Sequence, residues 1–300
     1  MLLAFDFQLF FDQTMNGVSS GVVFASVALA LVLIFRTTSI LNFAQGEMAL
    51  FSTFITYRLA ADFDLPIGLA VLVSAVIAFV GGAVIERVLI RPVEDSNHPL
   101  NVVIVTLGMF LAINALAALI FIRPGQEALQ MPALFPDGKW LGVQKEVIGF
   151  ALVLVAECVI LYLLLQKTKI GLALRAVASN PESSRLVGIH TGSMLMLGWG
   201  LAAVVGAVGG SLAAMQGTGF DTSLMQTVLV FGFAAAALGG FDSLIGAVVG
   251  GLIVGIANAW TVQYVDALDG IELVVPFALI LVVLLVRPNG LFGRTIVERV

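Results

Sequence analysis

Nine nearly unbroken apolar stretches recur along the chain, near residues 16–35, 41–60, 66–90, 101–122, 147–165, 194–216, 226–241, 244–265 and 271–286. Short polar segments, often carrying glycine or proline, separate them. Most approach the roughly 20 residues a helix needs to cross hydrocarbon. The pattern predicts an all-α, polytopic integral membrane protein with about nine transmembrane helices. Eight stays open, because 226–241 is short enough to be re-entrant. One interval breaks the pattern. Residues 166–194, including KTKIGLALRAVASNPESSRLVGIHTGSM, are polar and basic in an otherwise greasy chain.

Composition sharpens the class. Of 300 residues, 60% are hydrophobic and only 11% charged, less than half the charged share of a soluble domain. A net charge of −5 argues against nucleic acid as a partner. The first fifteen residues contain Asp6 and Asp12 and lack a basic n-region, so they do not read as a cleavable signal. Cys158, the only cysteine, excludes an intrachain disulfide and reads as a small buried hydrophobe. No linker divides the chain, so residues 1–300 read as one domain.

Charge also sets a direction. With nine spans and the N-terminus outside, the inner segments carry Arg36, Arg87, Arg91, Lys167, Lys169, Arg175, Arg185, Arg287, Arg294 and Arg299. The outer segments carry Arg58, Arg123, Lys139 and Lys145. Ten against four follows the positive-inside rule and predicts a cytoplasmic C-terminus. The proline-bearing loop 123–146 then falls outside. There it either meets an extracytoplasmic partner or caps the helices.

Polar residues near the membrane interior are the candidates for chemistry, since burying them in hydrocarbon is costly. NFAQGE (42–47) opens the second span. On a helix, Asn42, Gln45, Ser52 and Thr56 share one side, a stripe suited to a translocation path. Glu47 points the other way, at the inner boundary. The alternative is a helix start whose polar groups cap free N–H groups. Thr106 and Asn114 lie on one side of the fourth span and read as either interhelical hydrogen bonds or substrate contacts. Glu157 sits mid-span in the fifth helix with no evident counter-ion. Gly246, Gly250, Gly251 and Gly255 form overlapping GxxxG pairs, and Gly206, Gly209 and Gly210 form a second cluster. Such spacing predicts close helix packing in lipid.

The basic interval has internal punctuation. Gly171–Ala178 has helical composition. Asn180 followed by Pro181 is an N-cap and first-turn signal, and Gly188 is a stop after Val187. Two short helices with a hinge form a compact knob on the inner side. Leu172, Leu174, Val177, Leu186 and Val187 would give it apolar contacts, and Arg175 and Arg185 charge.

The segments NFAQGE (42–47), ERVLIRP (86–92), VTLG (105–108), KTKIGLALRAVASNPESSRLVGI (167–189), ALGGFDSLIGAVVGG (237–251) and RPNGLFG (287–293), in this order and spacing, have a precedent. The chain resembles the H-type permease subunit of bacterial branched-chain amino acid ABC importers, nearly end to end. The resemblance implies a multi-pass subunit of the bacterial inner membrane. It would pair with a second permease subunit, two cytoplasmic ATP-binding subunits and an extracytoplasmic substrate-binding protein. Residues 166–194 would be the coupling loop, with Gly171, Arg175, Ala176, Asn180, Arg185 and Gly188 engaging an ATPase. Arg185, Asp242 and Asn258 depart from the residues commonest in the family. Relatives of this subunit also serve urea or short amides, and the sequence carries no selectivity code.

The chain lacks a GxxxxGK[ST] phosphate loop, so ATP hydrolysis would come from a partner. The reading is of a permease, not an enzyme, with no cofactor or metal. The rival is a self-contained secondary transporter or channel, which needs a mid-membrane ion site. Glu157 is its only candidate.

Overall fold

A computed structural model describes residues 6–38, 40–94, 100–123, 128–268, 270–271 and 273–293. Arg294 and Arg299 of the sequence reading lie outside the described residues. The chain folds into α1 (Phe7–Thr38), α2 (Gln45–Ala61), α3 (Ile67–Ile85), a π-turn (Glu86–Ile90), α4 (Arg91–Glu94) and α5 (Leu100–Phe121). A two-residue hairpin, β1 (Lys139–Trp140) and β2 (Val143–Gln144), precedes α6 (Lys145–Lys167), α7 (Lys169–Ser179) and α8 (Pro181–Leu186). Then come α9 (Thr191–Gln216), α10 (Leu224–Gly239), α11 (Leu244–Tyr264) and α12 (Val274–Val286).

Six of these are long and apolar enough to cross a membrane: α1, α3 with its continuation to Val93, α5, α6, α9 and α11. α10 and α12 are apolar but shorter. α2 has 17 residues. The protein is therefore all-α and polytopic. Every predicted apolar stretch contains a helix, with the largest shifts of start in the first, which begins at Phe7 rather than 16, and the second, which begins at Gln45 rather than 41.

Position in the bundle follows from side-chain distribution. From Val22 to Ile34, α1 is buried without a break, as expected of a helix that is apolar and small-residued all round. It packs on α11, α9, α10 and α6. α3, α5, α6 and α12 lie outermost and expose Leu72, Val76, Ile104, Leu111, Leu119, Val155, Val159, Phe277 and Leu281. Bulky apolar side chains on the outside of a bundle suit hydrocarbon as solvent.

Glycine sets the tightest crossings. α11 uses two faces. A Cβ on Gly251 would stand 2.5 Å from the Ala25 Cα, and one on Gly255 would meet the Gly21 backbone. From α1, Gly17 and Gly21 answer with approaches of 2.7 Å to Ile256 Cα and 2.9 Å to Leu252 Cα. On the other face, Gly246 and Gly250 press on the Gly239 and Ala235 carbonyls of α10. Backbones approach this closely only where at least one of the two residues in contact lacks a side chain.

Two sequence segments prove to be joints between elements. Arg91 donates to Glu86 Oε2 (2.7 Å) and Oε1 (3.2 Å), and to the Gly192 carbonyl at the start of α9 (2.6 Å). ERVLIRP thus fastens the end of α3 to α9. In RPNGLFG, the Leu291 and Phe292 amides donate to the Leu238 and Gly239 carbonyls (2.8 and 3.0 Å). They satisfy orphan carbonyls at the end of α10. Gly240 and Gly290 there have φ of +98° and +77°, which glycine adopts without strain.

Candidate functional site

The polar side chains of the bundle form a seam where α2 meets α5, α9 and α10. Its geometry starts from an interrupted helix. α1 ends at Thr38, and Thr37 packs against Gly198 of α9. Residues 40–44 then run without helix inside the bundle, and α2 begins beside Ala202, close to the middle of the 26-residue α9. Backbone without helical bonds survives away from water only if its polar groups find partners. Asn42 supplies them: its Oδ1 accepts from Ala44 N (3.0 Å) and its carbonyl from Gln45 N (3.3 Å). Its Nδ2 donates to Gln45 Oε1 (3.3 Å), and Gln45 Nε2 donates to the Ala202 carbonyl (3.2 Å). A Cβ on Gly206 would fall 2.5 Å from that Nε2, so the amide fits only over glycine.

Ser52 and Thr56 form a second group further along α2. Ser74 Oγ of α3 donates to the Ser52 carbonyl (2.8 Å), and Thr56 Oγ1 shares a hydrogen bond with Ser211 Oγ of α9 (3.2 Å). Gly210 sits over Thr53, with 2.5 Å between its would-be Cβ and Thr53 Oγ1. Asn42, Gln45, Ser52 and Thr56 are all buried, and each bonds protein. Thr106 is buried and bonds the Val103 carbonyl of its own helix (3.0 Å), apart from the others.

Asn114 is placed differently. Its Nδ2 donates to Glu47 Oε2 (2.9 Å) and to the Thr222 carbonyl just before α10 (2.8 Å). Glu47 does not sit at the inner boundary as its sequence position suggests. It lies level with Asn114 in the second half of α5, wholly buried, and its Oε1 has no partner. Nor does it cap the start of α2, because Asn42 already holds the Ala44 amide. Sequence reasoning set Glu47 aside by treating 42–47 as one continuous helix, whereas the helix starts at Gln45.

Glu157 is also buried. Ser26 Oγ donates to its Oε2 (2.7 Å), and its Oε1 is unpartnered. The partner missing from the sequence reading is thus a hydroxyl on α1.

On the other side of α6 lies the knob. Thr168 Oγ1 accepts from Gly171 N (3.0 Å) and starts α7. Asn180 Oδ1 accepts from Ser183 N (2.8 Å) and starts α8. Gly188 (φ +84°) closes α8, with Ile189 N donating to the Ser184 carbonyl (3.0 Å). Gly171 packs on the Leu164 and Leu165 carbonyls, where any side chain would block the elbow between α6 and α7. Leu174 and Val177 point inward and are buried, so they seat the knob on the bundle. Leu172, Leu186 and Val187 point outward, Leu186 being 89% exposed. Ala176 is half-buried between the two faces. Arg175 donates to Gln166 Oε1 (2.9 Å) and Arg185 to Thr191 Oγ1 (3.0 Å), so both reach back to the scaffold.

A family model for the permease component of branched-chain amino acid transport systems matches residues 13–284. The chain belongs to this family. It is 31% identical to the high-affinity branched-chain amino acid transport system permease protein LivH of Escherichia coli K12, over 98% of this chain and 99% of that one. It is 28% identical to the high-affinity branched-chain amino acid transport system permease protein BraD of Pseudomonas aeruginosa PAO1, over 97% of this chain and 98% of that one. A probable LivH of Methanocaldococcus jannaschii is 28% identical over 89% and 87%. The matches run through α1 and α12 alike, so the whole bundle is that of an H-type permease, a membrane transport component.

Proposed function

We propose that this chain is the membrane subunit of an ATP-driven importer for branched-chain or closely related amino acids. Its N-terminus is outside and its C-terminus cytoplasmic, by the lysine and arginine bias. The observation that carries the ATP-driven reading is the α7–α8 knob. It is capped at both helix starts, seated by Leu174 and Val177, and presents Leu172, Leu186 and Val187 to a partner. Exposed apolar residues on a rigid, polar-rimmed projection have the makings of a protein interface. Two ATPases would bind there, one on this chain and one on a second permease subunit, and a binding protein would deliver substrate to the opposite face. Closure of the ATPases would push the knob. The push would reach α6 through the Gly171 elbow and α9 through the Arg185–Thr191 bond.

The test is leucine uptake into proteoliposomes holding the reconstituted complex. Uptake should require ATP and binding protein, and should persist without an ion gradient. Uptake driven by an ion gradient without ATP would instead establish the self-contained transporter. Uptake of urea or acetamide in preference to leucine would move the substrate to the amide class.

A further inference from the structure

Glu47 is a carboxylate with 0% exposure inside a membrane bundle, and none of the salt bridges among the described residues includes it. Buried carboxylates are stable when paired, and removing the partner is strongly destabilising. Glu47 has half a set of partners: Asn114 Nδ2 on Oε2 and nothing on Oε1. The Asn114 amide also occupies a telling position. One NH2 group donates to a carboxylate oxygen at 2.9 Å and a backbone carbonyl at 2.8 Å. Those are the bonds a primary ammonium would make in the same place, with Oε1 taking a further proton.

We infer that Glu47 and the Thr222 carbonyl form an acceptor site for the α-ammonium of a transported amino acid, and that the Asn114 amide occupies it in this structure. The inference rests on the proposed amino-acid specificity and locates it. Three features of the fold favour the site. It lies level with the middle of α9, beside the non-helical stretch 40–44. Interrupted helices at such depth are where transporters hold polar groups of their cargo. Second, the three groups come from three elements, α2, α5 and the segment leading into α10, so relative movement opens the site without unfolding any helix. Third, α5 lies outermost and packs chiefly on α2, so a shift of α5 withdraws Asn114 from Glu47. Glu157, also buried, accepts instead from the Ser26 hydroxyl.

The experiment is leucine uptake by the complete reconstituted complex, at saturating loaded binding protein, for Glu47→Gln. Glutamine keeps the size and an oxygen that accepts from Asn114, but it lacks the charge. Assembly and basal ATP hydrolysis should match wild type, while leucine uptake falls about 30-fold or more, the usual consequence of losing one member of a buried charged pair. Glu47→Asp, which keeps the charge on a shorter stem, should retain more uptake than Glu47→Gln. Leucine uptake within about threefold of wild type by an assembled Glu47→Gln complex overturns the site. If Glu47→Gln does not assemble, Glu47→Asp carries the test: reduced uptake with normal basal hydrolysis supports the site, and unchanged uptake overturns it. A wild-type complex that moves neither leucine, isoleucine nor valine would instead refute the amino-acid reading on which the site depends.

Discussion

Gly251→Ala adds one methyl group at a tight crossing of α1 and α11, and its cost follows from the geometry. The new Cβ would lie 2.5 Å from both Cα and N of Ala25, where 3.4–4 Å is ordinary contact. Those atoms are backbone and cannot rotate away. α1 and α11 must therefore part by about 1 Å along the seam that Gly17, Gly21 and Gly255 share, and a gap of that size forfeits a quarter to a half of each dispersion contact. Overpacking of this kind costs about 3 kcal/mol, at the upper end of the usual range. For a chain of 300 residues, that lowers the apparent melting temperature of the purified protein by about 5 °C. Gly81→Ala is the control, since its Cβ would meet nothing within 4 Å. The assay is thermal aggregation followed by size-exclusion chromatography in detergent. A Gly251→Ala protein melting within about 2 °C of the Gly81→Ala protein would refute the seam. Gly250→Leu and Gly251→Leu should go further and abolish a folded yield.

Leu186→Asp should release the ATPase or uncouple hydrolysis from uptake, lowering co-purification about 30-fold if Leu186 is an interface anchor worth about 2 kcal/mol. Arg175→Glu should act instead by loosening the Gln166 tether, so its ATPase loss should come with increased proteolysis at the α6–α7 elbow. Arg91→Leu strands the buried Glu86 carboxylate and should destabilise by about 3 kcal/mol, with Arg91→Leu/Glu86→Leu recovering much of the loss in thermal stability. In a Cys158→Ala background, cysteines at Asp6 and Phe292 should label from opposite sides of the membrane; labelling from the same side contradicts the odd span count.

The large-scale plan was legible because hydrocarbon imposes a length and an all-round apolar pattern on each crossing segment. The caps were legible for a similar reason. Asn180-Pro181 and Gly188 are local signals, and the backbone obeys them locally. What the pattern could not give was direction across the bundle. Leu174 and Leu172 are both apolar and two residues apart, yet one seats the knob and the other faces outward. The partners of the glycines were equally hidden. The GxxxG spacing of α11 is visible, but its counterpart Gly17, Gly21 and Ala25 sits in a helix so uniformly small and apolar that no stripe distinguishes it. Polar pairs joined over long separations, such as Ser26 with Glu157, leave no periodic trace at all.

NFAQGE shows why a helical projection misled at one place. The projection assumes 100° per residue, and residues 42–44 are not helical. Once the helix begins at Gln45, each residue of the motif has its own task. Asn42 closes the turn, and Phe43 lies 5.4 Å from Phe233 of α10, centroid to centroid. Ala44 is buried and gives its amide to Asn42. Gln45 reaches α9, and Gly46 clears the way for Leu229 of α10, whose Cβ would stand 3.1 Å from a side chain there. Glu47 reaches α5. Six consecutive residues thus join three helices at the depth where the chain has no helical bonds of its own. A helix break is stable in a bilayer only when neighbours replace the missing bonds. The same neighbours must shift together when the bundle changes shape, so the motif is both the anchor of the break and the place where movement of α5, α9 and α10 is felt at once. That coupling is why the proposed ammonium site at Glu47 would bear on transport rather than on folding alone.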